Sequence, residues 1–394
     1  MNPLRLNILM IVFNQTGKGT YWRAYHFARI LAARNHSVTL ISTSKQARNG
    51  ISYREIDGIC LVETPDAFTG SLRSGYDPWN MINRISWLRN RRFDIVHAFE
   101  SRPIVIYPAL EVKKRGAAMV LDWADWFGRG GSVEERNNPI ARSVLRIVET
   151  YYEDHFRKHA SGTTVINNFL KVRAISMGVK PETIRLVRNG SDTRSAVIER
   201  KEARNQAGIR DSGPLIGFVG GTYDSDARLM AKAFNRVLDR YPNAKLILAG
   251  YFNRDIESLL ADPRVIIRTG PITSQQVHMY LSACDLCWLP LSDTGANLGR
   301  WPFKLNDYMT AGRATVSTDI GDLKEVVPCY KLGVVTKPDP DSFAAGTLDL
   351  LNSPDEAISL GNTARAAAEN IFDWEIITKE LEDFYLGLLS NQPR

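Results

Sequence analysis

Lys304 and Asp307 are the two residues of this 394-residue chain whose types and spacing most directly suggest chemistry. Three positions apart, they share one face of a helix that Pro302 would open, where the missing proline N–H costs nothing. A cation, an acid and the free N–H groups of a helix start suit a phosphorylated, hydroxyl-bearing ligand. A surface ion pair with no ligand is the alternative, and this stretch alone leaves both readings open. Around the pair, Gly295 and Gly299 mark a loop, with Asn297 and Arg300 inside it. Leu305, Tyr308 and Met309 give the helix an inward face, Gly312 stops it, and Thr315 to Thr318 follow as a strand.

A second group lies near residue 122. The apolar run from Met119 to Leu121 ends in Asp122, Trp123, Asp125 and Trp126. Carboxylates grip hydroxyls and indoles cover apolar ring faces, so the combination suits a sugar; helix capping by Asp125 is the plain alternative. His97 and Glu100 close another strand, Ile95 to Phe99, at the end where doubly wound sheets carry ligand residues. Gly17 and Gly19 would let backbone approach a ligand after the first strand, although the stretch fits no phosphate-loop fingerprint and a simple turn explains it equally well.

The elements that must position these residues follow from periodicity. Leu6 to Phe13 reads as a strand covered on both faces; a helix with Ala24, Phe27 and Leu31 inward and the strand Ser37 to Ser42 complete a β-α-β unit. Trp79 to Arg92 reads as a helix whose Arg84, Arg89, Arg91 and Arg92 form a solvated face, with contact to anionic lipid as the alternative. Residues 139 to 158 read as a helix with Ile140, Val144, Ile147, Val148 and Tyr151 inward. His36 is expected to be structural. After Asn189-Gly190-Ser191-Asp192 the chain turns polar as far as Gly213, which marks a domain boundary.

Beyond it the same grammar restarts. Leu215 to Val219 is a strand, Gly220-Gly221-Thr222 a phosphate-compatible turn, and Leu229, Met230, Phe234, Val237 and Leu238 one helix face. Gly270 follows the strand Val265 to Ile267, Thr273 and Gln276 form a capping box, and Leu286 to Leu289 is the strand that delivers the opening stretch. Asp224-Ser225-Asp226 resembles a metal-binding D-x-D, but it precedes a helix, where such residues cap. Cys284 and Cys287 have C-x-x-C spacing without a second pair, and core packing outweighs zinc or redox chemistry.

The totals agree with two domains: 44% hydrophobic and 24% charged residues, at a length beyond one ordinary core. A net charge of +7 suits anionic ligands or an anionic membrane surface without indicating nucleic acid. No apolar run could span a bilayer, and Met1 to Arg5 does not look like a secretory signal. A cytoplasmic location is therefore expected, with peripheral contact at the inner face of the membrane.

Taken in order, Arg34 to Val38, Asp94 to Ala98, Asn189 to Asp192, Phe218-Val219-Gly220, Asp285 to Pro290, Tyr308 to Arg313 and Phe372-Asp373-Trp374 resemble the landmarks of glycosyltransferase family 4. The resemblance covers nearly the whole chain. It implies an α/β GT-B fold of two Rossmann-like domains facing across a central cleft: residues 1–192 on the acceptor side, 193–372 for the donor, and 373–394 as a helix returning to the first domain. It also implies transfer of a sugar from a nucleotide-sugar, with retention and without metal or cofactor, to a sugar, lipid or small-molecule acceptor.

On that resemblance Asp125, Lys304 and Arg300 are the catalytic candidates. Gly17, Gly19, Gly220, Gly221, Thr222, Gly270, Asn297, Gly299, Lys304 and Asp307 would contact the donor, and His97, Glu100, Asp122 and Trp123 the acceptor side. Asp307 takes the place of the second glutamate of the family's E-x7-E motif, which holds the donor ribose, and Gly299 the place of the first. The basic residues that usually follow the Phe-Val-Gly strand are replaced by Gly221-Thr222 and Asp226, so the diphosphate would rely on Lys304, Arg300 and the Gly220 and Gly221 amides. A nucleotide-sugar epimerase and a non-catalytic nucleotide-sugar-binding subunit are the competing readings.

Overall fold

The structure, a computed structural model, describes residues 5–46, 49–67, 75–210 and 213–390. Residues 1–4 of the stretch read for a signal, and residues 211 and 212 of the polar chain before Gly213, lie outside the described residues. The chain divides into two compact units. One comprises residues 1–188, 299–301 and 374–394; the other comprises 189–298 and 302–373.

The first unit is built on an eight-stranded sheet: β1 (Asn7–Gln15), β2 (Ser37–Thr43), β3 (Ser52–Ile56), β4 (Ile59–Thr64), β5 (Ile95–Phe99), β6 (Ala118–Trp123), β7 (Gly162–Val165) and β8 (Ile184–Leu186). Their spatial order is β3-β4-β2-β1-β5-β6-β7-β8. Every neighbouring pair is parallel except β3 and β4. The apolar run of β1 explains its central place, because only a strand covered on both faces needs hydrophobic residues at successive positions.

On one face lie α1 (Tyr21–Ala33), with Phe27 and Leu31 inward, and the closing helix Trp374–Ser390, with Trp374, Ile377, Leu381 and Tyr385 inward. The other face is covered by α2 (Pro78–Leu88), α3 (Pro103–Lys113) and the carboxyl end of α4 (Pro139–Phe156). Each of these three helices carries proline in its first turn, and the side chains of Asp77 and Asn138 accept backbone N–H groups at the starts of α2 and α4.

The second unit holds a six-stranded, wholly parallel sheet: β9 (Leu215–Val219), β10 (Lys245–Ala249), β11 (Ile266–Gly270), β12 (Leu286–Leu289), β13 (Thr315–Thr318) and β14 (Gly333–Thr336), in the order β11-β10-β9-β12-β13-β14. Two Rossmann-like domains are thus present.

Three local expectations are corrected. Arg84 does not lie on a solvated face of α2: it is fully buried, donating to the carbonyls of Val12 (2.8 Å) and Ile104 (2.9 Å) and to the hydroxyls of Thr64 and Thr43. Burial lowers its pKa to about 9.

The apolar face of α4 is reversed. Ile140, Val144, Ile147 and Tyr151 are 77%, 56%, 67% and 50% exposed, whereas Glu149 and Glu153 are enclosed. Apart from Tyr152 and Phe156, which pack on the apolar core, the inward side of this helix meets cations and donors. Glu149 pairs with Arg102 at 2.8 Å, and Glu153 accepts the Phe127 and Gly128 amides at 2.6 Å each. Unpaired, those groups would be costly to bury, and they draw the carboxylates inward.

Asp226 does not cap its helix, Asp224–Arg240, whose N-cap is Tyr223. From inside the first turn it accepts hydrogen bonds from the Ser292 amide (2.8 Å), the Asn297 side-chain amide (2.8 Å) and the Thr222 hydroxyl (3.1 Å).

Candidate functional site

In the first unit the candidate residues gather where β1, β5 and β6 end. Gly17 and Gly19 both have positive φ, and a Cβ on Gly19 would come within 2.6 Å of Asn14, so that turn admits no larger residue without shifting. Asn14 accepts the Thr20 amide just before α1 begins.

Asp122 is fully buried and held by Arg23 through two 3.0 Å hydrogen bonds and by the Thr164 hydroxyl at 2.5 Å. Burial would raise its pKa, but the Arg23 guanidinium outweighs that and holds the carboxyl below its usual range. Arg23 also donates to the carbonyls of Val187 (2.7 Å) and Arg188 (3.1 Å), fixing the chain as it leaves the sheet. His97 lies between the Tyr385 hydroxyl (2.6 Å) and Thr164 (3.1 Å), and burial drops its pKa to about 3, so the ring stays neutral. Trp123 donates to Glu153 while Arg157 packs 3.9 Å over its ring.

The acceptor-side assignment of His97, Asp122 and Trp123 is corrected accordingly. Their side chains are enclosed and engaged within the unit rather than open at the strand ends, as an acceptor-side role would need.

Glu100 is buried with a φ of +70°, a conformation costly for a residue with a side chain. It accepts the Ala124 amide at 2.9 Å, and burial raises its carboxyl well above the ordinary range despite Arg157 at 3.9 Å. It too is walled in, and its contact is with the chain that leads to Asp125. Asp125 itself is half-buried. Burial lifts its pKa to about 6, against the pull of Arg300 and Arg102. Asp125 and Arg300 therefore belong to one electrostatic group. Arg300 lies in the short segment 299–301, which also contains Gly299 and is held in part by Asn167 donating to the Arg300 carbonyl at 3.2 Å.

In the second unit β9 runs into Gly220 and Gly221. Gly220 has a φ of +67°, and its amide is already given to the Ala249 carbonyl, which corrects the expectation that it faces a phosphate. Lys304, from the helix Phe303–Thr310, reaches this turn: its ammonium donates to the Gly221 carbonyl at 2.8 Å and lies 5.0 Å from the Phe218 ring centre. The same helix is fixed by Tyr308, which donates to the Trp288 carbonyl at 2.9 Å, and by Asn306, which donates to the Asn189 carbonyl at 3.1 Å.

Asp307 opens to solvent in a cavity of about 350 Å³ that Asp192, Ser274 and His278 also line. Desolvation of its carboxyl by the surrounding chain raises its pKa, with Lys304 opposing and Asp192 adding to the shift. Gly270 ends β11 with positive φ and open space where a Cβ would stand. Thr222 and Asn297, expected to contact the donor, are buried with side-chain polar groups on Asp226, and there they shape the loop.

The residues missed from sequence are the arginines Arg23, Arg102 and Arg157. One signal for Arg23 was available: it stands on the apolar face of α1, four positions before Phe27, where a charge needs a buried partner.

Comparison with known proteins adds the following. A family model described as Glycosyltransferase Family 4 matches residues 18–195, and one described as Glycosyl transferases group 1 matches residues 213–353. TuaH of Bacillus subtilis, named as a proposed teichuronic acid biosynthesis glycosyltransferase, is 23% identical over 228 residues, 55% of this chain. The chain spans about half of that relative's length, 53%. Among solved structures, sucrose-phosphate synthase from Thermosynechococcus elongatus superimposes with a TM-score of 0.77 at 15% identity, covering 98% of this chain and all of that one (100%). Anabaena HepE in complex with UDP-glucose does so with a TM-score of 0.70 at 15% identity, over 97% and 100% of the two chains.

Proposed function

Because the chain belongs to glycosyltransferase family 4, we propose that it moves a glycosyl group from a nucleoside-diphosphate sugar to an acceptor hydroxyl, with retention at the anomeric carbon. The acceptor would be a glycan, a lipid-linked sugar or a small molecule. The observation that carries this reading is Lys304 drawn onto the Gly221 carbonyl at the end of β9. It is a cation held beside a glycine turn at the carboxyl end of a parallel strand, where α/β sheets bind phosphates. The bound UDP-glucose of the similarly folded HepE adds support for this class of donor.

In the proposed reaction the bond between the anomeric carbon and the leaving phosphate oxygen breaks on the face the acceptor approaches. The departing diphosphate takes the acceptor's proton as the new glycosidic bond forms. Negative charge grows on the diphosphate as the bond stretches, and Lys304 would stabilise it without a metal ion. Asp307 would accept hydrogen bonds from the donor ribose. Asp125 would lie against the reacting sugar.

Thermal-shift titration of the full chain with nucleoside diphosphates, with and without Mg²⁺, tests the reading. Stabilisation by one nucleotide, unchanged by Mg²⁺, followed by transfer of the matching sugar, is expected. No response to any nucleotide would overturn it, and binding without transfer or hydrolysis would leave a nucleotide-sugar-binding subunit.

A further inference from the structure

The exposed face of α4 is at odds with an aqueous surface. Ile140, Val144, Ile147 and Tyr151 recur at intervals of four, three and four, which places them in one stripe along the helix, roughly 16 Å from end to end. All four are at least half exposed. Isolated surface hydrophobics need no explanation, but a continuous stripe on one helix does.

The charges around the stripe show what would cover it. Two of the helix's own carboxylates, Glu149 and Glu153, are enclosed, and the third, the part-exposed Asp154, faces Arg173 at 3.5 Å. Arg136 is exposed just before the helix, Arg142 is partly exposed within it, and Lys158 is exposed just beyond its end. The surface offered to a partner is therefore apolar along its length and positive at both ends.

A neighbouring feature has the same character. Between α2 and α3 lies an apolar recess of about 770 Å³ lined by Met81, Ile85, Tyr107 and Leu110, with Glu111, Lys113 and Lys114 also at its wall. Tyr107 packs edge-on against Tyr152 and Phe156 of α4, so the recess adjoins that helix.

We propose that α4 lies in the surface of an anionic bilayer, its Ile140–Tyr151 stripe among the acyl chains and its flanking arginines and lysine at the lipid phosphates. Among the described residues no helix is long and apolar enough to cross a membrane, and α4, with charged residues along its opposite side, would lie flat. Apolar insertion and attraction to anionic headgroups act together in such helices, and only the second is screened by salt. This inference does not depend on the transferase reading, since vesicle binding requires neither donor nor acceptor.

The test is flotation of the full chain with phosphatidylcholine vesicles, with or without phosphatidylglycerol, at low and high salt. Binding is expected with the anionic vesicles, reduced by salt and weak on the neutral ones. Val144→Glu/Ile147→Glu should lower it about tenfold or more with unchanged circular dichroism, because both side chains are already in solvent. Ile82→Glu, at an exposed position on α2, should bind like the parent. If the double glutamate variant fails to fold, Val144→Ser/Ile147→Ser replaces it, with a smaller loss expected.

Failure of the parent chain to float with anionic vesicles at low salt would overturn the proposal. So would equal binding by a folded α4 variant, or loss of binding through Ile82 alone. If light scattering instead shows a dimer that the α4 variant dissociates, the stripe is covered by a second copy of the chain, and the membrane assignment is wrong.

Discussion

The carboxyl ends of the two sheets are held in place by opposite means. In the first unit the strand ends rest on buried charge: Arg23 on Asp122, Arg102 on Glu149, Arg157 between Trp123 and Glu100. In the second, the buried carboxylate of Asp226 is satisfied by a hydroxyl, a backbone amide and a side-chain amide, and the turn after β9 is shaped by Gly220 and Gly221. Buried ion pairs fix geometry but are unforgiving, because removal of one partner strands the other; neutral networks lose less. The first unit therefore depends on charge matching for its shape, whereas in the second Lys304 meets a backbone carbonyl, that of Gly221.

The sharpest break in that comparison is to remove one partner from each side. Arg23→Met leaves the Asp122 carboxylate buried without its cation and should cost the first unit about 3–5 kcal/mol. Asp226→Asn keeps size and most of the hydrogen bonds and should cost the second about 1–3 kcal/mol. Urea denaturation of the two variants, followed by probes in each unit, measures both. Equal losses would mean that charge and neutral networks contribute alike.

Next in size is Lys304→Ala. If the ammonium meets charge that grows in the transition state, its removal should lower kcat itself. Loss of a charge-assisted hydrogen bond of about 1.5–3 kcal/mol corresponds to roughly a ten- to hundredfold decrease. An unchanged kcat would reduce Lys304 to a strut for the Gly221 carbonyl.

Asp125 supplies a pH dependence. Its pKa is raised to about 6, so the carboxylate form prevails above that value and is lost as pH falls through it. With the ionised form needed beside the reacting sugar, kcat/KM should be level at higher pH and fall about tenfold per unit on the acid side. Asp125→Asn should remove that acid limb. A limb that persists in the variant belongs to another group.

How much of this was legible in sequence depended on whether a local rule also decides the tertiary outcome. The strands β1 and β9 declare their burial because a parallel strand covered on both faces has no polar side to hide. The Thr273–Gln276 capping box forms as read, because both its bonds are local. Periodicity found α4 and its apolar stripe correctly as a face, but it carries no information about which face turns inward. That was settled by Arg102 and by the Phe127 and Gly128 amides, which arrive from other parts of the chain. Arg84 and Asp226 were misread for the same reason: a charge on a helix reads as solvated or capping until its distant partners are known. At the site, Lys304 and Asp307 could be singled out by spacing. The enclosure of His97 could not, since it depends on Tyr385 in the last helix.

The smallest effect expected concerns Asp307, and it separates binding from chemistry. Lys304 and Asp307 stand three residues apart on one helix, yet Lys304 reaches the β9 turn while Asp307 opens into a cavity with Asp192 and His278. A carboxylate there would accept hydrogen bonds from hydroxyls whose charge hardly changes as the glycosidic bond breaks. It would thus bind the ground state and the transition state alike. Asp307→Ala should raise the donor KM several-fold, by roughly 1 kcal/mol of lost hydrogen bonding, and leave kcat near the parent value. Its raised pKa adds a second signature: as pH falls, the parent's KM should climb toward that of the variant, because a protonated carboxyl accepts less well. Steady-state donor titrations of both proteins across pH would decide the matter. A loss in kcat equal to that of Lys304→Ala would place both residues on the departing diphosphate, and the division of labour along this helix would be wrong.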